Sequence, residues 1–238
     1  MNKNELIFNN RYNKPNAAQN YRKIAFTLAE VLITLGIIGV VVAMTMPTLI
    51  QNHKKQVAST RLKKFYATIN SAIKAAEVDY GDFQYWTLDN NVQDWNTQYY
   101  EKYLKNNLRV LKTKKLNDSK MLLYFPDGSA TIMNLYHGSI EHFGGHFYFC
   151  PEAKNCNDVD SSLFGRKQFV FQYFPSSISA EFDTTRGKAV EPYSLYMQHN
   201  IAYVKNFCYS KNNENAKFCT FLIEMNGWKI PKDYPHRL

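Results

Sequence analysis

Few residues in this chain could do chemistry. Glu30 is the first, because it stands almost alone: from Val31 to Ile50 no side chain is charged. A carboxylate inside a membrane helix costs about 2.5–3.5 kcal/mol on insertion scales and usually serves a function. Glu30 lies only four residues past Phe26, so in a lone subunit it can also sit near lipid headgroups at little cost. A functional reading needs a cation to meet it inside an apolar assembly. A cut before Phe26 would create one, the new α-amine. The amine of one subunit would then pair with Glu30 of its neighbour, and breaking one partner would strand a buried charge.

Cys150, Cys156, Cys208 and Cys219 fall into two local groups, with five and ten residues between neighbours. An even count beyond a membrane segment points to disulfides in an oxidising compartment, although four cysteines allow three pairings. Zinc is the rival, but the CxxC spacing of structural zinc sites is missing. His137, Glu141, His142 and His146 invite a metal reading. A hairpin turning at Gly144-Gly145 would pair Phe143 with His146 and His142 with Phe147, sending the two histidines to opposite faces. Asp158 and Asp160 lack the fuller oxygen set that calcium needs. Lys112, Lys114, Lys115 and Lys120 read as a solvated loop rather than a DNA contact. There is no GxSxG, HExxH or phosphate-binding glycine loop. Nothing argues for an enzyme, and neither a metal nor a cofactor is expected.

The element that must position Glu30 is the apolar run from Phe26 to Ile50. As a helix its 25 residues would reach about 37 Å, enough to cross a ~30 Å hydrocarbon core with tilt. A plain signal anchor, a signal peptide cut near Val41 and Ala43, and a buried core helix are the competing readings. The run exceeds the ~7–15 residues of a signal-peptide core and is too uniformly apolar for a core helix. Before it, residues 1–25 form a polar leader carrying +4 of the chain's net +9. The overall charge therefore says little about nucleic acid. Five Lys/Arg precede the run and five follow soon after, so charge does not orient it. The cysteines do: they put the head on the oxidising side and the leader in the cytoplasm.

Beyond the run, Leu62, Phe65, Tyr66, Ile69, Ile73 and Ala76 recur at three- and four-residue steps, which is an amphipathic helix. One helix from about Phe26 to Tyr80 follows, ended by Gly81, kinked at Pro47 and loosened at Gly36 and Gly39. A short helix is expected over about 97–107. Hairpins are expected to turn at Pro126-Asp127-Gly128, at Gly144-Gly145 and at Asn226-Gly227. Residues 168–174 read as a buried strand, 175–190 as loop, and 193–205 as a helix with Pro192 at its first position. The sum is an α+β fold: a long N-terminal helix packed on a mostly antiparallel sheet.

The stretch KIAFTLAEVLITLGIIGVVVAMTMP resembles the amino-terminal motif of type IV pilins and type II secretion pseudopilins. The resemblance covers about 25 of 238 residues. It implies a pilin-like roll and three segments. These are a cleaved leader (1–25), a transmembrane and polymerisation helix (26–51) and a periplasmic head (52–238). It implies cleavage between Ala25 and Phe26 and N-methylation of Phe26 by a membrane peptidase/methyltransferase. Glu30 would guide methylation and subunit addition, and Gly39 and Pro47 fall where family helices loosen or kink. The implied partners are homologous subunits, an assembly ATPase, an inner-membrane platform, and membrane lipid before assembly. Ala25 replaces the usual glycine before the cut, and is also small. More weakly, FGRKQFVF and NGWKIPKDYP are similar to large prepilin-like proteins labelled as type II secretion proteins. The Cys208–Cys219 loop resembles the carboxy-terminal disulfide loop of pilins, which fixes an exposed edge. The function implied is a fibre subunit for secretion; the alternatives are a DNA-binding minor pilin and an anchored domain that never polymerises.

Overall fold

The structure, a computed structural model, describes residues 26–88, 94–136, 144–174, 188–194 and 200–238. The expected leader with Ala25, and His137, Glu141 and His142, lie outside the described residues. The chain divides into two units between Met46 and Pro47. Helix α1 (Leu28–Tyr80) contributes to both, and Pro47 lies within it. Gly81 ends α1 as expected: φ is 73°, and its N–H donates to the Glu77 carbonyl at 2.9 Å. A residue without a Cβ takes that left-handed conformation without strain.

In the second unit the apolar stripe of α1 is fully used. Leu62, Phe65, Tyr66, Ile69, Ile73 and Ala76 are all buried. Below them lies a six-stranded antiparallel sheet whose spatial order follows the chain. Its strands are β1 (Lys112–Asn117), β2 (Lys120–Tyr124), β3 (Ala130–Tyr136), β4 (Gly144–Cys150), β5 (Phe169–Tyr173) and β6 (Val190–Pro192). The period of two sends Phe147 and Phe149 of β4 to the face shared with their partners Phe171 and Phe169. The Phe65 ring stacks on Phe149 at 4.6 Å and meets Phe171 edge-on at 5.0 Å. Burying each such side chain contributes about 1.5–3 kcal/mol. On the other face Leu122, Ala130 and Ile132 form a smaller cluster with Cys150 and Cys156.

Two buried or half-buried amides fasten the helices to the sheet. Asn70 of α1 pairs both ways with the Val190 backbone, at 2.8 and 2.9 Å, and so covers edge strand β6. Asn96 bridges Ser119 and Leu135 in the same manner. It sits on α2 (Trp95–Tyr99), capped by Asp94 and continued by a π-helical turn over Tyr100–Leu104. The helix expected over 97–107 thus starts two residues earlier.

The hairpin at Pro126-Asp127-Gly128 and the buried strand at β5 are as expected. Four expectations are corrected. Gly144-Gly145 is not a turn but the start of β4, paired with Tyr136 and Leu135. A Cβ on Gly145 would lie 2.3 Å from the Asn134 oxygen, so close strand approach explains that glycine. Lys112–Asn117 is an edge strand rather than a loop; it is almost wholly exposed, so no apolar alternation marks it. Pro192 lies on edge strand β6 opposite Phe171, where a missing N–H is tolerated. The described helix there, α3, is Ile201–Cys208, capped by Asn200. Last, FCTFLIEM is helix α4 (Cys219–Met225), not a strand. Its residues Cys219 to Ile223 are all buried, and an element buried all round shows no period to read. The Asn226-Gly227 pair is its cap. Gly227 donates to Glu224 at 2.8 Å and Trp228 to Ile223 at 2.9 Å, a Schellman closure. A hairpin turn and this cap both need φ above zero at glycine, here 66°, so the dipeptide signals either one.

Candidate functional site: the start of the apolar helix

Thr27 and Glu30 form a reciprocal cap. The Thr27 backbone N–H and hydroxyl donate to Glu30 Oε2 at 2.8 and 2.9 Å, and the Glu30 N–H donates to Thr27 Oγ1 at 3.2 Å. This is the Thr-x-x-Glu capping box, which satisfies helix-end donors that have no intrahelical partner. It holds the carboxylate on the first turn, beside the positive end of the helix dipole. Thr27 is the residue that pattern reading of Glu30 overlooks, although its signal, Thr three before Glu at the head of an apolar run, is plain in FTLAEV.

The helix that follows is bare. Phe26 is 78% exposed and Leu28 81%, and the apolar side chains from Val31 to Ile50 stand open within the chain. α1 is long and apolar enough to cross a membrane, and none of its most apolar stretch is buried. Thr34 and Thr45 donate back to the carbonyls of Val31 and Val41 at 3.0 and 2.9 Å, which spares two hydroxyls an unpaired donor in an apolar medium. A Cβ on Gly36 or Gly39 would meet nothing within 4 Å, so packing within this chain does not call for glycine there.

The four cysteines form two disulfides, Cys150–Cys156 and Cys208–Cys219. Both are fully buried. The first closes the end of β4; the second ties α3 to α4. His236 Nε2 lies 3.0 Å from the Cys208 oxygen. Its ring and the two sulfurs are clustered, but the sulfurs are bonded to each other and offer no thiolate. Burial pushes the His236 pKa down. Gly165 packs against this disulfide, where a Cβ would come within 2.9 Å of Cys219 Sγ, and its carbonyl accepts from the Tyr234 hydroxyl at 2.5 Å. The segments FGRKQFVF and NGWKIPKDYP, distant in sequence, therefore meet around the Cys208–Cys219 bridge.

The other polar residues have local duties. His146 faces away from α1, paired across the sheet with Asn134 and Gln172. It lies among the rings of Tyr193, Phe174, Tyr148 and Tyr136, and burial, helped by Lys217, pushes its pKa to about 4. Asp158 pairs with Lys120 at 2.8 Å. Asp160 caps the 3₁₀ turn at Ser161. Lys115 pairs with Asp94 and Asp118 at 3.0 Å each, and Lys112 lies over the Tyr124 ring. Lysines along an exposed strand also discourage pairing with a second sheet.

The fold is thus an α+β domain led by a long apolar helix. Residues 48–238 match the model of a family described as a family of unknown function (DUF6613), and the chain belongs to that family. The matched range begins directly after Pro47, so residues 1–25 and most of the apolar run lie outside it. No curated protein and no solved structure matches the chain.

Proposed function

We propose that this protein is a prepilin-like structural subunit. A membrane peptidase cleaves it between Ala25 and Phe26 and N-methylates Phe26. Its apolar helix holds it in the inner membrane, leader inward and head outward, until an ATPase and platform pass it into a secretion pseudopilus or pilus-like fibre. The observation that carries this reading is a lone carboxylate at the head of an apolar helix that the described residues leave uncovered. Two buried disulfides suit a head in an oxidising compartment. The α+β head, with the second part of α1 laid on an antiparallel sheet, suits a pilin-like roll.

The capping box favours one rival, a membrane-anchored domain that never polymerises, because it gives Glu30 a use inside its own helix. Three variants separate the two. Glu30→Gln keeps an acceptor for the cap but removes the charge, Thr27→Ala removes the cap but keeps the charge, and Glu30→Val removes both. The fibre reading predicts that both Glu30 variants insert normally and fail to enter fibres, while Thr27→Ala assembles. Assembly of Glu30→Gln at the wild-type level would refute a charge-based role.

A further inference from the structure

The head carries a groove of ≈ 630 Å³ that the fibre reading does not use. Its lining gathers six cations from four parts of the chain: Lys54 and Arg61 of α1, Lys154, the Arg166-Lys167 turn, and Arg237. The Glu152 carboxylate and the main-chain oxygen of Leu238 face them. Val57 and Ala58 add an apolar wall. Glu152 is taken by Lys154 at 2.8 Å. Arg61 donates to the Pro151 carbonyl, and Lys54 to the Leu238 backbone oxygen at 3.3 Å. The charged ends of Arg166, Lys167 and Arg237 make no hydrogen bond or ion pair among the described residues, and all three are exposed. Like charges gathered without counter-charge repel, and an anion relieves that cost.

We infer that this groove binds the phosphate headgroup of an anionic membrane lipid. The inference rests on the reading of α1 as a membrane helix. The position of the groove selects lipid over other anions. Thr48, Leu49 and Ile50 are the last residues of the apolar run, and at 1.5 Å rise Lys54 lies about 6 Å beyond Ile50 and Arg61 about 16 Å. Polar headgroups occupy roughly the first 5–8 Å outside the hydrocarbon, so the Lys54 end of the groove stands at the depth of the lipid phosphates, and the groove runs outward from there to Arg61. Basic side chains there attract anionic lipid, and the Val57–Ala58 wall suits its glycerol and first methylenes.

The test uses the full chain in a neutral detergent, with dioleoyl-phosphatidylglycerol or dioleoyl-phosphatidylcholine added and retained lipid counted by native mass spectrometry. Preferential retention of the anionic phosphatidylglycerol is expected. The triple variant Arg166→Glu, Lys167→Glu, Arg237→Glu should weaken it about ten-fold or more. A charge-matched control, Lys112→Glu, Lys114→Glu, Lys211→Glu, should leave it within about two-fold, since those lysines lie outside the groove. Equal loss in both triples, or no lipid preference, would overturn the inference. So would displacement of the lipid by an equal concentration of inorganic phosphate, which would mark a free-anion site. Unchanged lipid retention with loss of fibre entry in the groove triple would also overturn it, pointing to an acidic face on a neighbouring subunit. Loss of lipid preference alone leaves the fibre reading standing; a chain that stays soluble without detergent sinks the membrane reading and this inference together.

Discussion

The two parts of α1 obey the same backbone rules and meet opposite fates. From Val31 to Ile50 every face is apolar and the large side chains are open to their surroundings. From Leu62 to Ala76 the large apolar residues keep to one stripe and are buried on the sheet, while Ala67 and Ala75 lie off it and are exposed. The second pattern shows what a helix looks like when its own chain supplies the partner: a narrow stripe, polar flanks, and aromatic rings matched to Phe147, Phe149 and Phe171. The first has no such partner among the described residues. Apolar surface of that extent is normally covered by lipid or by other helices.

Stability measurements on the full chain in detergent, by urea titration with tryptophan fluorescence, test this contrast. Phe65→Ala removes the ring at the centre of the helix–sheet contact and should cost about 3–5 kcal/mol. Leu35→Ala, in the bare part, should leave the same transition unchanged. An equal loss from both would erase the distinction. Cys208→Ser with Cys219→Ser frees α3 from α4 and should cost about 3 kcal/mol, against about 2 for the shorter Cys150–Cys156 loop.

A pH titration sharpens the picture of the face away from α1. His146 is held neutral, its pKa pushed from 6.5 to about 4. The unfolded chain therefore binds the proton more readily. Head stability is unaffected by this group above pH 6.5 and falls as pH drops towards 4, by on the order of 3 kcal/mol. His146→Asn should flatten that slope. The smallest effect is expected at the helix start, where Thr27→Ala should cost about 1 kcal/mol of local helix stability. It should appear as faster amide exchange confined to the first turn of α1.

Much of this architecture is legible in the sequence, for physical reasons that can be named. The α1 stripe is readable because one buried face imposes a 3.6-residue period, and Gly81 because only glycine suits its φ. The Pro126-Asp127-Gly128 hairpin is readable because alternating strands flank it. Period gives no help where both faces are alike. β1 is polar on both sides and α4 is apolar on both sides, so the one looks like loop and the other like strand. Gly144, Gly145 and Gly227 are conspicuous as residues but silent about why glycine is needed: close approach at Gly145, a helix cap at Gly227. Pro192 equally suits a helix start or a sheet edge. At the candidate site Glu30 is conspicuous by its charge; Thr27 carries the quieter Thr-x-x-Glu spacing, and its hydroxyl is found on the carboxylate. The basic groove has no local signature, because its six cations come together only in the folded head.

The central claim is that the bare part of α1 is an assembly element released by proteolysis, not a permanent anchor. Intact-mass analysis of the protein from its native membrane tests this directly. The account predicts a chain that begins at Phe26, bears one methyl group on its α-amine, and has lost four hydrogens to two disulfides. A chain that retains Met1 and the whole leader would contradict it.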